Sequence, residues 1–103
     1  MRLVLCTAPV TAAEAIARAL VEERVAACVN LVPGVVSIYR WKGEICRDDE
    51  LLLVIKTRDD KLPALREAIR RVHPYEVPEI VALAPQAGEV NEEYARWVDE
   101  ETA

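Results

Sequence analysis

Val25 to Ile55, VAACVNLVPGVVSIYRWKGEICRDDELLLVI, is the stretch on which the fold turns. Val25 to Val32 has strand character, Pro33-Gly34 interrupts it, and Val35-Val36-Ser37-Ile38-Tyr39-Arg40-Trp41 resumes it. One long strand, bent or bulged at Pro33-Gly34, is expected. Lys42-Gly43 then supplies a tight turn, because glycine takes the positive φ that two-residue hairpins need. The return strand runs from Glu44 through Asp48-Asp49-Glu50, whose charges suit an exposed stretch, into the apolar run Leu51 to Ile55. The hairpin is therefore core-like at its base and polar and aromatic at its tip.

Outward from the hairpin, Leu3-Val4-Leu5-Cys6 is too short for a helix and reads as a buried strand. Thr11 stands three residues before Glu14, a capping-box spacing, and Ile16, Ala17, Leu20 and Val21 recur at helical intervals, predicting a helix to about Glu23. On the other side, Thr57 to Asp60 is rich in capping residues and Pro63 suits a first turn. Leu62, Leu65, Ile69 and Val72 mark one face of a second helix that His73-Pro74 ends. Val77 to Ala84 reads as a fourth strand, and Pro78, lacking a ladder donor, places it at a sheet edge or at the start of the strand. Asn91 caps a C-terminal helix with Tyr94, Trp97 and Val98 on one face.

The order β-α-β-β-α-β plus a last helix is the split-βαβ, ferredoxin-like α+β pattern, here with an extended β-hairpin and a C-terminal helix in a single domain over residues 1–103. The first strand and second helix run the same way in that topology. Cys6, the His73 junction and the hairpin tip are thus expected at one end of the domain.

Composition narrows the function classes. With 103 residues, 52% of them apolar and 30% charged, the chain has the material for one compact core. Thirteen Lys and Arg against 18 Asp and Glu give a net charge of −5, the wrong sign for neutralising phosphates, so no nucleic acid partner is expected. No apolar run approaches the roughly 20 residues that span a bilayer, and Leu3 to Cys6 is too short for a signal-peptide core, so the reading is cytoplasmic, with no membrane partner. Cys6, Cys28 and Cys46 are odd in number and far apart, which predicts free thiols, Cys28 as a small core hydrophobe and Cys46 exposed near the hairpin tip. Three glycines in all leave no phosphate-cradling loop and indicate no organic cofactor.

The five aromatics, Tyr39, Trp41, Tyr75, Tyr94 and Trp97, lie outside the aliphatic segments, a pattern that suits an interface or, for Tyr39 and Trp41, stabilisation of the hairpin as same-face neighbours. His73, the one histidine, stands in His73-Pro74-Tyr75-Glu76-Val77-Pro78-Glu79, a rigid turn able to present side chains. Its ordinary role at that place is to cap a helix end. Cys6 beside it adds another: thiolate and imidazole form a soft donor pair suited to copper or zinc, which Glu76, Glu79, water or a neighbouring subunit would have to complete. As a nucleophile and base the pair has no third member and no oxyanion loop, so no enzyme is expected.

Cys6-Thr7-Ala8-Pro9, Ala26-Ala27-Cys28-Val29-Asn30, Ser37 to Gly43, Lys56-Thr57 and His73 to Ile80, followed by Tyr94 and Trp97, closely resemble the CutA family of divalent-cation tolerance proteins. The resemblance covers nearly the whole chain. It implies a ferredoxin-like subunit in a homotrimer built like the PII signalling proteins and a role in tolerance to copper and other divalent metals. Cys6 and His73 match the cysteine and histidine tied to copper in that family. Some members carry a second histidine before the His-Pro-Tyr motif, where this chain has Val72. Two readings follow: a homotrimer binding copper or a related metal through Cys6 and His73, or a PII-like sensor or scaffold binding a small molecule or protein in clefts between subunits. Tyr39, Arg40, Trp41, Lys56, Tyr75, Glu76, Glu79 and Trp97 are the candidates for such a cleft or interface.

Overall fold

A computed structural model describes residues 1–103. Its elements are β1 (Arg2–Pro9), α1 (Ala13–Glu22), β2 (Cys28–Trp41), β3 (Glu44–Thr57), α2 (Leu62–Val72), β4 (Val81–Leu83) and α3 (Glu92–Glu101), with a short 3-10 turn at Asp59–Lys61. The strands form one antiparallel sheet in the order β2-β3-β1-β4. This is the ferredoxin-like α+β arrangement, and β4 is an edge strand, with Pro78 lying before it and outside the ladder.

The hairpin dominates the molecule. β2 and β3 are each 14 residues long against eight in β1, so their distal halves run past the end of the sheet. Their pairing slips between Val32 and Val35, where Gly34 takes φ +79° and makes the bulge. At the tip, Lys42 and Gly43 both have positive φ, the signature of a type I′ turn, whose twist matches that of the flanking strands.

Alternation along the strands assigns the faces. Val4, Cys6 and Ala8 of β1 and Leu53 and Ile55 of β3 are buried against Ile16 and Leu20 of α1 and Leu65, Ala68 and Ile69 of α2. The residues between them, Leu3, Leu5, Leu52 and Val54, project to the opposite face together with Val32, Val81 and Leu83 across the ladders. That second face is apolar yet half-buried to exposed, with Val32, Val81 and Leu83 between 41% and 48% accessible. The run Leu51 to Ile55 is thus continuous because both faces are apolar, although α1 and α2 cover only one and α3 reaches no more than the margin of the other. On α3, Asn91 accepts from the Glu93 amide as expected, and the buried Thr102 hydroxyl donates to the Val98 carbonyl.

Four local expectations are corrected. The cap of α1 is Ala12, without a side-chain cap: the Ala12 amide turns back onto the Pro9 carbonyl at 3.0 Å, leaving Thr11 one residue too early, while Glu14 pairs with Arg18. Val25 to Ala27 are buried loop, not strand, because the Val25 and Ala26 amides close onto the Leu20 carbonyl, and apolar burial looks the same in either state. No side chain among Thr57 to Asp60 caps α2; the Asp59–Lys61 turn leads into it, with Pro63 in its first turn. The fourth strand spans only Val81–Leu83, since residues 77–80 follow the proline-framed turn and do not pair.

Candidate functional site

The end of β1, the C-terminus of α2 and the hairpin meet at one end of the domain. α2 stops because the residue before Pro74 is biased to extended backbone, and His73 has φ −82° and ψ 134° while its amide still bonds the Ile69 carbonyl. That places the His73 ring against β1 with 7% exposure. Its Nδ1 accepts from the Tyr75 amide at 3.1 Å, so Nε2 carries the proton and donates to the Thr7 carbonyl at 2.8 Å. The ring therefore ties loop 73–79 to β1 rather than capping α2.

Cys6 approaches the same carbonyl, its Sγ lying 3.7 Å from Thr7 O. The thiol is fully buried in the core, and burial first, then the charges of Glu79 and Glu50, push its pKa up to about 12. Sequence reasoning placed Cys6 and His73 together, and they converge on one oxygen. As arranged they do not fit a metal ion: both imidazole nitrogens are engaged, the thiol holds its proton, and no group of three or more His, Cys, Asp or Glu side chains is gathered there or elsewhere.

Beside this pair the loop and the hairpin enclose a groove of about 640 Å³. Tyr39, Trp41, Tyr75, Glu76 and Glu79, all singled out in the sequence, line it. Arg40, Lys56 and Trp97 do not. Arg40 lies near the tip opposite Ile45, Lys56 sits on the open sheet face with its ammonium on the Asn30 side-chain oxygen, and Trp97 stacks on Tyr94 at 5.6 Å between ring centroids.

Glu50 is the residue that sequence reasoning missed. Expected in an exposed stretch, it is 4% accessible, lines the groove, and accepts the Tyr75 hydroxyl on Oε2 at 2.6 Å. Burial, then this bond to Glu50, raises the Tyr75 phenol far above its ordinary value and keeps it a donor. The Tyr39 hydroxyl donates to Asp48, which together with slight burial holds its phenol up at about 12. The only signal for Glu50 was its contact with the apolar run that follows it.

Cys28 and Cys46 are both half-buried free thiols, Cys28 facing Tyr94 on the open sheet face instead of the core, and Cys46 opposite Tyr39 in the hairpin. Because a thiol raised from 9.0 to about 12 is protonated at neutral pH, Cys6 should be the last of the three to react. In a titration of native protein with iodoacetamide, mass mapping should find Cys6 unmodified until the chain is unfolded. Early labelling of Cys6 would contradict its placement in the core.

A profile of the CutA1 divalent ion tolerance proteins matches residues 2–101. The chain belongs to that family. It is 57% identical over 90 residues to the divalent-cation tolerance protein CutA of Thermus thermophilus, covering 87% of this chain and 85% of that one. The human protein CutA is 52% identical over 90 residues, 87% of this chain but 49% of the human sequence, so the chain spans about half the length of that relative. Among solved structures, the Thermus thermophilus divalent cation tolerance protein superposes with a TM-score of 0.92 at 53% identity, with each chain fully covered. The PII-like protein CutA of Nostoc sp. PCC 7120, in apo form, gives 0.95 at 42% identity over 100% of this chain and 98% of that one. The ferredoxin-like, PII-like fold is thereby established for this chain, within a family named for divalent ion tolerance. No helix is long and apolar enough to cross a membrane.

Proposed function

We propose that this CutA chain serves divalent-cation tolerance as a non-catalytic, cytoplasmic homotrimer, and that its working site is the groove between the hairpin and loop 73–79. The observation that carries the site is Glu50, a carboxylate with 4% exposure in an aromatic groove, hydrogen-bonded by the chain on one oxygen alone. A carboxylate so placed has its other oxygen left to accept from a further donor, which makes the groove a place for a ligand. Assembly is supported by the second apolar face of the sheet and by Ile38 and Ile45 in the hairpin, 72% and 63% exposed in the single chain. An apolar sheet face beside an overhanging hairpin is suited to meeting copies of itself.

Copper or zinc bound through Cys6 and His73 is the second reading, favoured by the convergence of both side chains on Thr7 O. It requires the His73–Thr7 bond to open and the thiol to lose its proton, so binding would release protons and strengthen as pH rises. Calorimetric titration of copper and zinc into wild type, Cys6→Ser and His73→Ala, each in a Cys46→Ser background, separates the two. The groove reading expects affinities within about threefold of one another. A loss of about tenfold or more in either variant, with pH-dependent proton release, would move the site to the thiol and imidazole.

A further inference from the structure

Eleven residues line the groove, and three of them are carboxylates, Glu50, Glu76 and Glu79, with no lysine, arginine or histidine to balance them. Three others are the rings of Tyr39, Trp41 and Tyr75. We infer that the groove binds a small organic cation, an alkylammonium or guanidinium compound whose charged head meets Glu50 and whose body lies against these rings. The inference rests on the groove being the working site and names the chemical class of its ligand.

Three observations point to that class. Glu50 is 4% accessible and receives a donor on Oε2 alone, so Oε1 is left without a donor from the chain and no cationic side chain of the chain lines the groove beside it, which suits a charge-assisted bond from a matching cation. Aromatic faces attract cations through their negative quadrupole, and Trp41 already does so within the chain: Lys42 Nζ lies 5.8 Å from its ring centroid. The volume, about 640 Å³, is in the range of roughly 300–1,000 Å³ that holds small organic ligands. A bare metal ion uses neither the rings nor the volume, and the carboxylates are not gathered as ligands for one. An anion would meet three negative charges at the wall.

The test is calorimetry on the full chain in its native assembly, with choline, putrescine and agmatine as cations and with 3,3-dimethylbutan-1-ol, the neutral carbon isostere of choline, and acetate as controls. Saturable binding of at least one cation, weakened about tenfold or more in Glu50→Gln and in Trp41→Leu and falling with added salt, is the expected result. Each variant is first matched to wild type by circular dichroism and elution volume, and Glu79→Gln, an exposed residue of the same wall, is the second charge variant should Glu50→Gln not fold. Equal binding of choline and its neutral isostere, both lost in Trp41→Leu, would overturn the cation while leaving the groove as a ligand site. No saturation by any of the five compounds would overturn the inference too, as when the hairpin tip of another copy fills the groove. Cation binding indifferent to Glu50, Glu79 and Trp41 would overturn it by placing the ligand elsewhere.

Discussion

Val54→Asp is expected to turn the assembled protein into separate subunits that still hold their secondary structure. Val54 lies on the sheet face that no helix of this chain covers except at its margin, directly between Leu5 on β1 and Asn30 on β2. In a symmetric trimer every copy carries the same change into the interface, so the carboxylates enter an apolar contact without partners. An unpaired buried charge costs about 3–5 kcal/mol, which weakens association roughly a hundredfold or more. Light scattering over a dilution series checks it, with circular dichroism confirming that β1 to β4 persist. A Val54→Asp protein that remains trimeric at micromolar concentration would rule out this face as the interface and leave the hairpin alone to account for assembly.

The neighbouring change, Leu53→Ala, should act on the subunit itself. Leu53 is fully buried, paired across the ladder with Cys6 and Leu31, and belongs to the core formed by β1, β3, α1 and α2. Removing its side chain forfeits transfer energy and leaves a cavity among groups that relax only in part, a loss of about 2–5 kcal/mol. For wild type and for Leu53→Ala alike, the melting temperature should rise with protein concentration when unfolding is reversible, because association stabilises the folded chain by mass action. Leu53→Ala should lower the whole curve while keeping that slope. A loss below about 0.5 kcal/mol would mean that the site is not packed as described. A flat dependence on concentration, with dissociation on unfolding verified, would contradict assembly as a source of stability.

The two residues are adjacent in an unbroken apolar run, and the run itself does not distinguish them. Alternation tells faces apart only where one face is polar. Here both are apolar, so Leu51 to Ile55 reads as uniformly buried, and only the register with β1 and β2 and the positions of α1 and α2 divide Leu53 and Ile55 from Leu52 and Val54. The same limit explains Val25 to Ala27, whose burial imitates a strand, and Cys28, which falls on the open face instead of the core.

Elements whose signals are local were legible without coordinates. Lys42-Gly43 set the hairpin turn through positive φ, Pro33-Gly34 set the bulge, Pro63 entered the first turn of α2, Pro74 stopped that helix, and Asn91 capped α3. From these and the β-α-β-β-α-β order, the sequence determined the ferredoxin-like topology and the meeting of Cys6, His73 and the hairpin at one end. The tertiary structure alone decided what those groups do there. It spent both His73 nitrogens on the Tyr75 amide and the Thr7 carbonyl, and it drew Glu50 out of an acidic run into a buried bond with the Tyr75 hydroxyl. The physical reason is range: φ preferences and helix caps act over a few neighbouring residues, whereas a lone pair or a carboxylate is occupied or left free by partners 25 and 66 positions away, which only the packed chain brings within hydrogen-bonding distance.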